Sequence, residues 1–187
     1  MSNIFFTSDL HLGHDKEFIF KPRGFETVHD MNETIVKNWN SVVGPEDEVY
    51  LLGDVMLGDN AVGAKLLHSL KGKIHIIRGN HDTNSRMACY KESHNVVDVN
   101  EGQFLKIGKQ NLYLCHYPTY TSNLEKSANL GEHIINFFGH THQQTNFFNE
   151  IPFMYHVGVD SHNNTPVAYE DIIADIRKKA DECYKFL

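Results

Sequence analysis

The sequence predicts a layered α/β domain in which helices cover sheets. Short apolar runs of strand length recur along the chain, and segments of helical period lie between them. The 187 residues suffice for one well-buried core. No internal repeat, low-complexity tract or Pro/Ser-rich linker divides the chain, so residues 1–187 read as a single domain.

Strands are expected at Ile4–Thr7, Val49–Leu52, Ile74–Arg78, Phe104–Ile107, Asn111–Cys115, Ile134–Phe138 and Tyr155–Val159. Gly108-Lys109-Gln110 between the fourth and fifth is a hairpin connection. Three helices fill the longer intervals. In Asp30–Val43 the residues Met31, Ile35, Trp39 and Val42 recur at helical spacing, Asp30 with Glu33 resembles a capping signal, and Gly44-Pro45 ends the run. Ala61–Leu70 directs Val62, Leu66 and Leu70 inward, although Gly63 weakens it as a helix. Glu170–Tyr184 places Ile172, Ile173, Ile176 and Ala180 on one face.

Composition excludes several classes. With 41% hydrophobic and 22% charged residues, the chain is neither disordered nor fibrous. No apolar run approaches the roughly 20 residues of a membrane span, and the first residues carry no basic, apolar signal segment. Cys89, Cys115 and Cys183 make a poor disulfide framework, so a reducing cytoplasm is expected. Seventeen Lys plus Arg against 24 Asp plus Glu speak against duplex nucleic acid as a partner. An anionic substrate remains compatible if bound metal supplies local positive charge. Thirteen histidines in such a chain are unusually many, and histidine is the commonest metal ligand.

Their positions carry the functional reading. Asp9-Leu10-His11, Gly53-Asp54, Gly79-Asn80-His81-Asp82 and Gly139-His140-Thr141-His142 each follow an expected strand, and His116 follows a fifth. In extended chain alternate side chains share a face, which would pair Asp9 with His11 and His140 with His142. The glycines are expected to let the backbone turn as it leaves each strand. Strand ends are where open α/β sheets bind ligands. Two aspartates, four histidines and an asparagine offer oxygen and nitrogen donors without thiolate, a set suited to Mn, Fe, Zn, Co or Ni. Seven donors exceed one tetrahedral ion and fit two ions sharing a carboxylate. A lone D-x-H or H-x-H is usually a solvated loop; five clusters, each at a strand end, are not.

In these motifs the sequence resembles the calcineurin-like metallophosphoesterases. Their order of D-x-H, G-D, G-N-H-[DE], a single His and G-H-x-H is matched from Asp9 to His142. Met31-Asn32-Glu33-Thr34, Asn38-Trp39-Asn40 and Val157-Gly158-Val159-Asp160 are similar to the small bacterial and phage-type phosphoesterases. The resemblance implies a four-layer αββα sandwich, two mixed sheets flanked by helices, here without a cap domain. It implies two divalent ions, manganese first, with Fe, Zn, Ni, Co or Mg as alternatives. Asp9, His11 and His142 would hold one ion, Asn80, His116 and His140 the other, and Asp54 would bridge them. His81 would lie beside the ions as proton donor to the leaving group, and Asp82 is a candidate to orient it. A metal-bridged hydroxide would attack phosphorus in line, which is mostly positioning and electrostatics.

Substrate contacts are expected from Asn80, His14 and Arg23, with Arg78 and His162 as weaker candidates, since guanidinium binds phosphate bidentately. Tyr117-Pro118-Thr119-Tyr120 would shape the pocket wall or simply pack. The expected substrate is a small phosphate ester, a nucleotide among the options, cleaved as a diester. A phosphomonoesterase with the same site is the alternative, and a catalytically silent scaffold of the same fold is the rival class. A polynucleotide nuclease lacks the basic stripe it would need.

Overall fold

The computed structural model describes residues 2–121 and 129–184. Two mixed sheets stack across a shared core. The first runs in the order β4-β3-β2-β1-β9, with β1 (Ile4–Thr7), β2 (Glu48–Leu51), β3 (Lys73–Ile77) and β4 (Val96–Asn100) parallel and β9 (Val167–Ala168) antiparallel. The second runs β5-β6-β7-β8, with β5 (Gln103–Ile107) antiparallel to β6 (Gln110–Leu114), and β7 (Ile134–Phe138) and β8 (Met154–His156) parallel to it. Ile107 pairs with Gln110, so the hairpin loop is the two residues Gly108-Lys109. Only Gly108 has positive φ, +58°, as a type II′ turn requires.

Alternation along the strands sends Phe6, Tyr50, Leu52 and Ile77 toward Leu112, Leu114, Ile135, Phe137 and Tyr155 between the sheets. Phe6 meets Phe137 edge to face, with ring centroids 4.8 Å apart. Phe5, Val49, Leu51, Ile74 and Ile76 face the other way, into a second core with the helices. There α2 (Val28–Val42) buries Met31, Ile35 and Trp39, beside α3 (Asn60–His68) and α4 (Asn84–Lys91). Helix α5 (Tyr169–Tyr184) buries the expected Ile172, Ile173, Ile176 and Ala180 against the core shared by the sheets.

Several local expectations shift. Helix α2 is capped by Thr27, whose hydroxyl accepts from the Asp30 amide, so Asp30 sits inside the first turn and the capping signal lies three residues earlier than expected. Val42 points outward and Val43 takes the buried position, continuing the strict i+4 ladder from Met31. Val62 is also exposed: α3 packs through Gly63 and Leu67, because a side chain at Gly63 would collide with Met56. The glycine that argued against this helix is what lets it dock.

Four elements were not anticipated. Strand β4 hides its period behind a bulge: Ile74 pairs with Val96 and His75 with Asp98, so Val97 is extra, and Val96 and Val99 reach the same core three residues apart. Helix α4 is capped by Thr83 and carries few inward apolar residues besides Met87 and Tyr90. The four-residue α1 (Glu17–Phe20) and two-residue β9 are too short for a periodic signal. Among the described residues no helix is long and apolar enough to cross a membrane.

Candidate metal centre

Strands β1, β2 and β3 end at the same edge as β6, β7 and β8, and the parallel bridge between Ser8 and Gly158 joins the two sheets there. The loops leaving these strands bring the seven expected donors together. Ligand atoms of Asp9, His11 and His142 lie within 4.8 Å of one another, and so do those of Asp9, Asp54 and His116. Asn80 Oδ1 lies 2.9 Å from His116 Nε2 and 2.8 Å from His140 Nδ1. Asp54 Oδ2 is 3.6 Å from both His11 Nε2 and His116 Nε2, placing this carboxylate between the two groups.

The convergence is not produced by strand alternation. Asp9, His11, Asp54, His140 and His142 all adopt left-handed backbone, with φ between +48° and +67°. Five of the nine non-glycine residues with positive φ among those described are thus donors of this site, each conformation costing of order 1–3 kcal/mol. The glycines also act differently from expectation. Gly53 has positive φ, whereas Gly79 and Gly139 are needed because a side chain there would strike Asp54 or Ser8 and Asp9.

Backbone bonds and neighbouring side chains hold the donors. The Asp9 amide donates to Gly53 O and the His11 amide to Asp54 O, extending the β1–β2 pairing past the strands. Asp9 Oδ2 accepts from Ser8 Oγ at 2.5 Å and from the His140 amide at 2.9 Å. His116 Nδ1 faces Leu52 O at 2.8 Å, His142 Nδ1 faces Asp160 Oδ2 at 2.9 Å, and His11 Nδ1 faces His14 Nδ1 at 3.2 Å. In all three, the nitrogen away from the cluster is engaged and Nε2 is turned inward, the arrangement that fixes a metal-binding imidazole. The donor set therefore fits divalent metal.

Electrostatics agree. Burial, reinforced by Asp54, holds the Asp9 carboxyl above its ordinary range against the pull of His116 and His142. Burial and the nearby His142 push His11 well down, and burial and His116 lower His140. For His142, burial opposes protonation, but the bond to Asp160 and the charge of Asp9 prevail and raise it. Asp9, His11 and His140 thus resist charging in protein alone, and a bound divalent cation would reverse that preference for the Asp9 carboxyl.

Arg23 requires a correction. Expected on phosphate, it is buried instead: Nε and Nη2 clasp Asp160 at 2.8 and 3.0 Å, and Nη2 and Nη1 donate to the carbonyls of Asp9 and Leu10. Its side chain is 2% exposed and that of Asp160 5%, which leaves no donor for a substrate. Arg23 and His142 hold the Asp160 carboxyl below its ordinary range despite burial. Asp160 was missed as a functional residue, although the Val157–Asp160 segment had been singled out. Asp82 does not orient His81 either. Its carboxylate accepts from the amides of Asp54, Val55 and Gly79 and from the Tyr90 hydroxyl at 2.6 Å.

His81 itself stands in a cleft of about 550 Å³ beside the donors, also lined by His14, His11 and His142. Its amide donates to Asp54 Oδ1, Arg86 holds its carbonyl, and its ring forms no hydrogen bond among the described residues. His14 is buried, touches His11 and lines the same cleft. Arg78 turns away, to Asp82 O and Glu101. His162 Nε2 donates to His156 O at 2.9 Å within the last loop, and neither Arg78 nor His162 lines the cleft. Tyr117 packs edge-on against His116 and His140, so it belongs to the wall of the donor cluster.

The calcineurin-like phosphoesterase superfamily domain matches residues 3–166. The chain is 32% identical to the uncharacterized protein MJ1445 of Methanocaldococcus jannaschii over 188 residues, 95% of this chain and 93% of that protein. It is 30% identical to the Gene 66 protein of Mycobacterium phage D29 over 208 residues, 95% of this chain and 99% of that one. Among solved structures, AQ665 of Aquifex aeolicus, a protein of unknown function, shares the fold with a TM-score of 0.69 at 20% identity, over 93% of this chain and 99% of that chain. The chain belongs to the calcineurin-like phosphoesterase superfamily.

The bond from Tyr90 to the Asp82 carboxylate gives the first prediction. Tyr90→Phe removes one donor to a buried charge and should cost about 1–3 kcal/mol. Urea unfolding of the two proteins measures it, and equal midpoints would show that Asp82 does not depend on Tyr90.

Proposed function

We propose that the protein is a binuclear phosphodiesterase of small phosphate esters, nucleotides included. The observation that carries this reading is Asp54 Oδ2 at 3.6 Å from an imidazole of each donor group, where a shared carboxylate belongs. Asp9, His11 and His142 would hold one ion, Asn80, His116 and His140 the second, and Asp54 both. Divalent ions, manganese first among those the donors suit, would supply Lewis acidity toward phosphoryl oxygens and lower the pKa of water. His81, whose ring lines the cleft and forms no hydrogen bond among the described residues, would give a proton to the leaving oxygen. Ser8, the His140 amide and His14 keep Asp9 and His11 aimed.

The cleft's charge supports diesters. Among the described residues its lining includes no Lys or Arg, and Arg23 and Arg78 are engaged elsewhere. A monoester dianion would bring charge that only the ions offset, whereas a diester brings one negative charge and an alkoxide that gains from the His81 proton.

Saturated with Mn and desalted, the protein should carry about two ions per chain by elemental analysis, and Asp54→Asn should weaken both. One ion or fewer with activity intact would overturn the two-ion reading. His81→Ala should keep its metal and lose about 10²–10⁴ in turnover. Loss of metal from that variant would make His81 a ligand instead. Under Mn, alkyl or nucleotide diesters and small cyclic nucleotides should be cleaved with higher kcat/KM than monoesters of the same alcohols. A monoester preference would establish a phosphatase, and no hydrolysis of any ester a silent scaffold.

A further inference from the structure

We propose that the apolar half of the cleft is a subsite for an uncharged aromatic substituent of the phosphate ester, with Phe18 as its side wall. The inference rests on the phosphoesterase reading and names the substrate class that site would select. Phe18 comes from α1, whose next residues Ile19 and Phe20 are anchored in the core at 8% and 5% exposure. Phe18 itself is 70% exposed and lines the cleft. Its ring meets His14 edge to face, with centroids 5.6 Å apart at 90°, and His14 touches His11. One side chain therefore separates the Phe18 ring from the metal donors.

Ile19, Pro22 and Leu57 complete the apolar lining, and His81 faces the same space. Asp160 also lines the cleft, but its carboxylate is satisfied by Arg23 and His142. Apart from the histidines, the remaining polar side chain among the described lining residues is Gln144, which is neutral. Phe18, Ile19, Pro22 and Leu57 offer a charged substituent no partner for the water it would lose, whereas a flat ring buries apolar area against Phe18 and Leu57 and finds ring edges on His14. A cleft of about 550 Å³ suits one ring with its phosphate and is far below what a folded partner needs. An uncharged ring of phenyl or nucleobase size is the occupant these surfaces select.

Phosphonates test the subsite without turnover. On the Mn-loaded protein, calorimetry should show phenylphosphonate binding about tenfold tighter than methylphosphonate, as partial burial of one ring provides. Cyclohexylphosphonate should fall between them. Phe18→Ala should abolish the phenyl advantage while leaving methylphosphonate affinity unchanged, and Phe18→Trp should retain it. Equal affinities of the parent for phenyl and methyl, or a preference that survives Phe18→Ala, would overturn the proposal. A second arm needs neither metal nor phosphate: fluorine NMR of 4-fluorobenzyl alcohol should broaden with the parent protein and not with Phe18→Ala. Broadening intact with no phosphonate bound would leave the subsite standing and remove the phosphoesterase reading. Absence of broadening with phosphonates bound equally would do the reverse.

Discussion

The Asp82 carboxylate accepts four hydrogen bonds inside the protein, and the geometry of the site descends from them. Three come from the amides of Asp54, Val55 and Gly79, the fourth from Tyr90 on α4. Together they bind the loop after β2 to the loop after β3. That fastening holds Asp54 in its left-handed conformation, with Oδ1 on the His81 amide and Oδ2 toward the two imidazole groups. A buried carboxylate without donors is costly, so these loops are stable only in the arrangement that satisfies it. Tyr90 is itself fully buried, and burial beside Asp82 raises its hydroxyl, which stays a donor.

A second fastening acts at the other end of the cluster. Arg23 reaches the carbonyls of Asp9 and Leu10 while clasping Asp160, so it fixes the backbone of the strained Asp9–His11 turn. Asp160 in turn sets the ring of His142. Removing one partner of such a buried pair costs about 3–5 kcal/mol, since it leaves a charge uncompensated. The arginine expected to contact phosphate thus positions the turn instead, and among the described residues no Lys or Arg lines the cleft.

Much of this was legible in the sequence. The seven donors were readable because metal chemistry demands particular residue types and because glycine-bearing clusters follow apolar strand runs. The strands Ile4–Thr7 and Ile134–Phe138 were bounded as they occur, and the α5 stripe fell on the buried face. What was misread depends on contacts distant in sequence. Gly63 looked like a helix breaker until Met56 was set against it, and Val97 obscured β4 until the bulge absorbed it.

The roles of supporting residues were out of reach for the same reason. Arg23 and Asp160 are 137 residues apart, and Asp82 and Asp54 are separated by 28. No periodicity or spacing joins such pairs, because the chain between them is folded into other elements. The sequence by itself determined which donor atoms the cluster offers, since donor identity is a property of side chains. Only the tertiary structure decided which charges are free, because a guanidinium or carboxylate is spent or available according to what folding places within hydrogen-bonding distance of it.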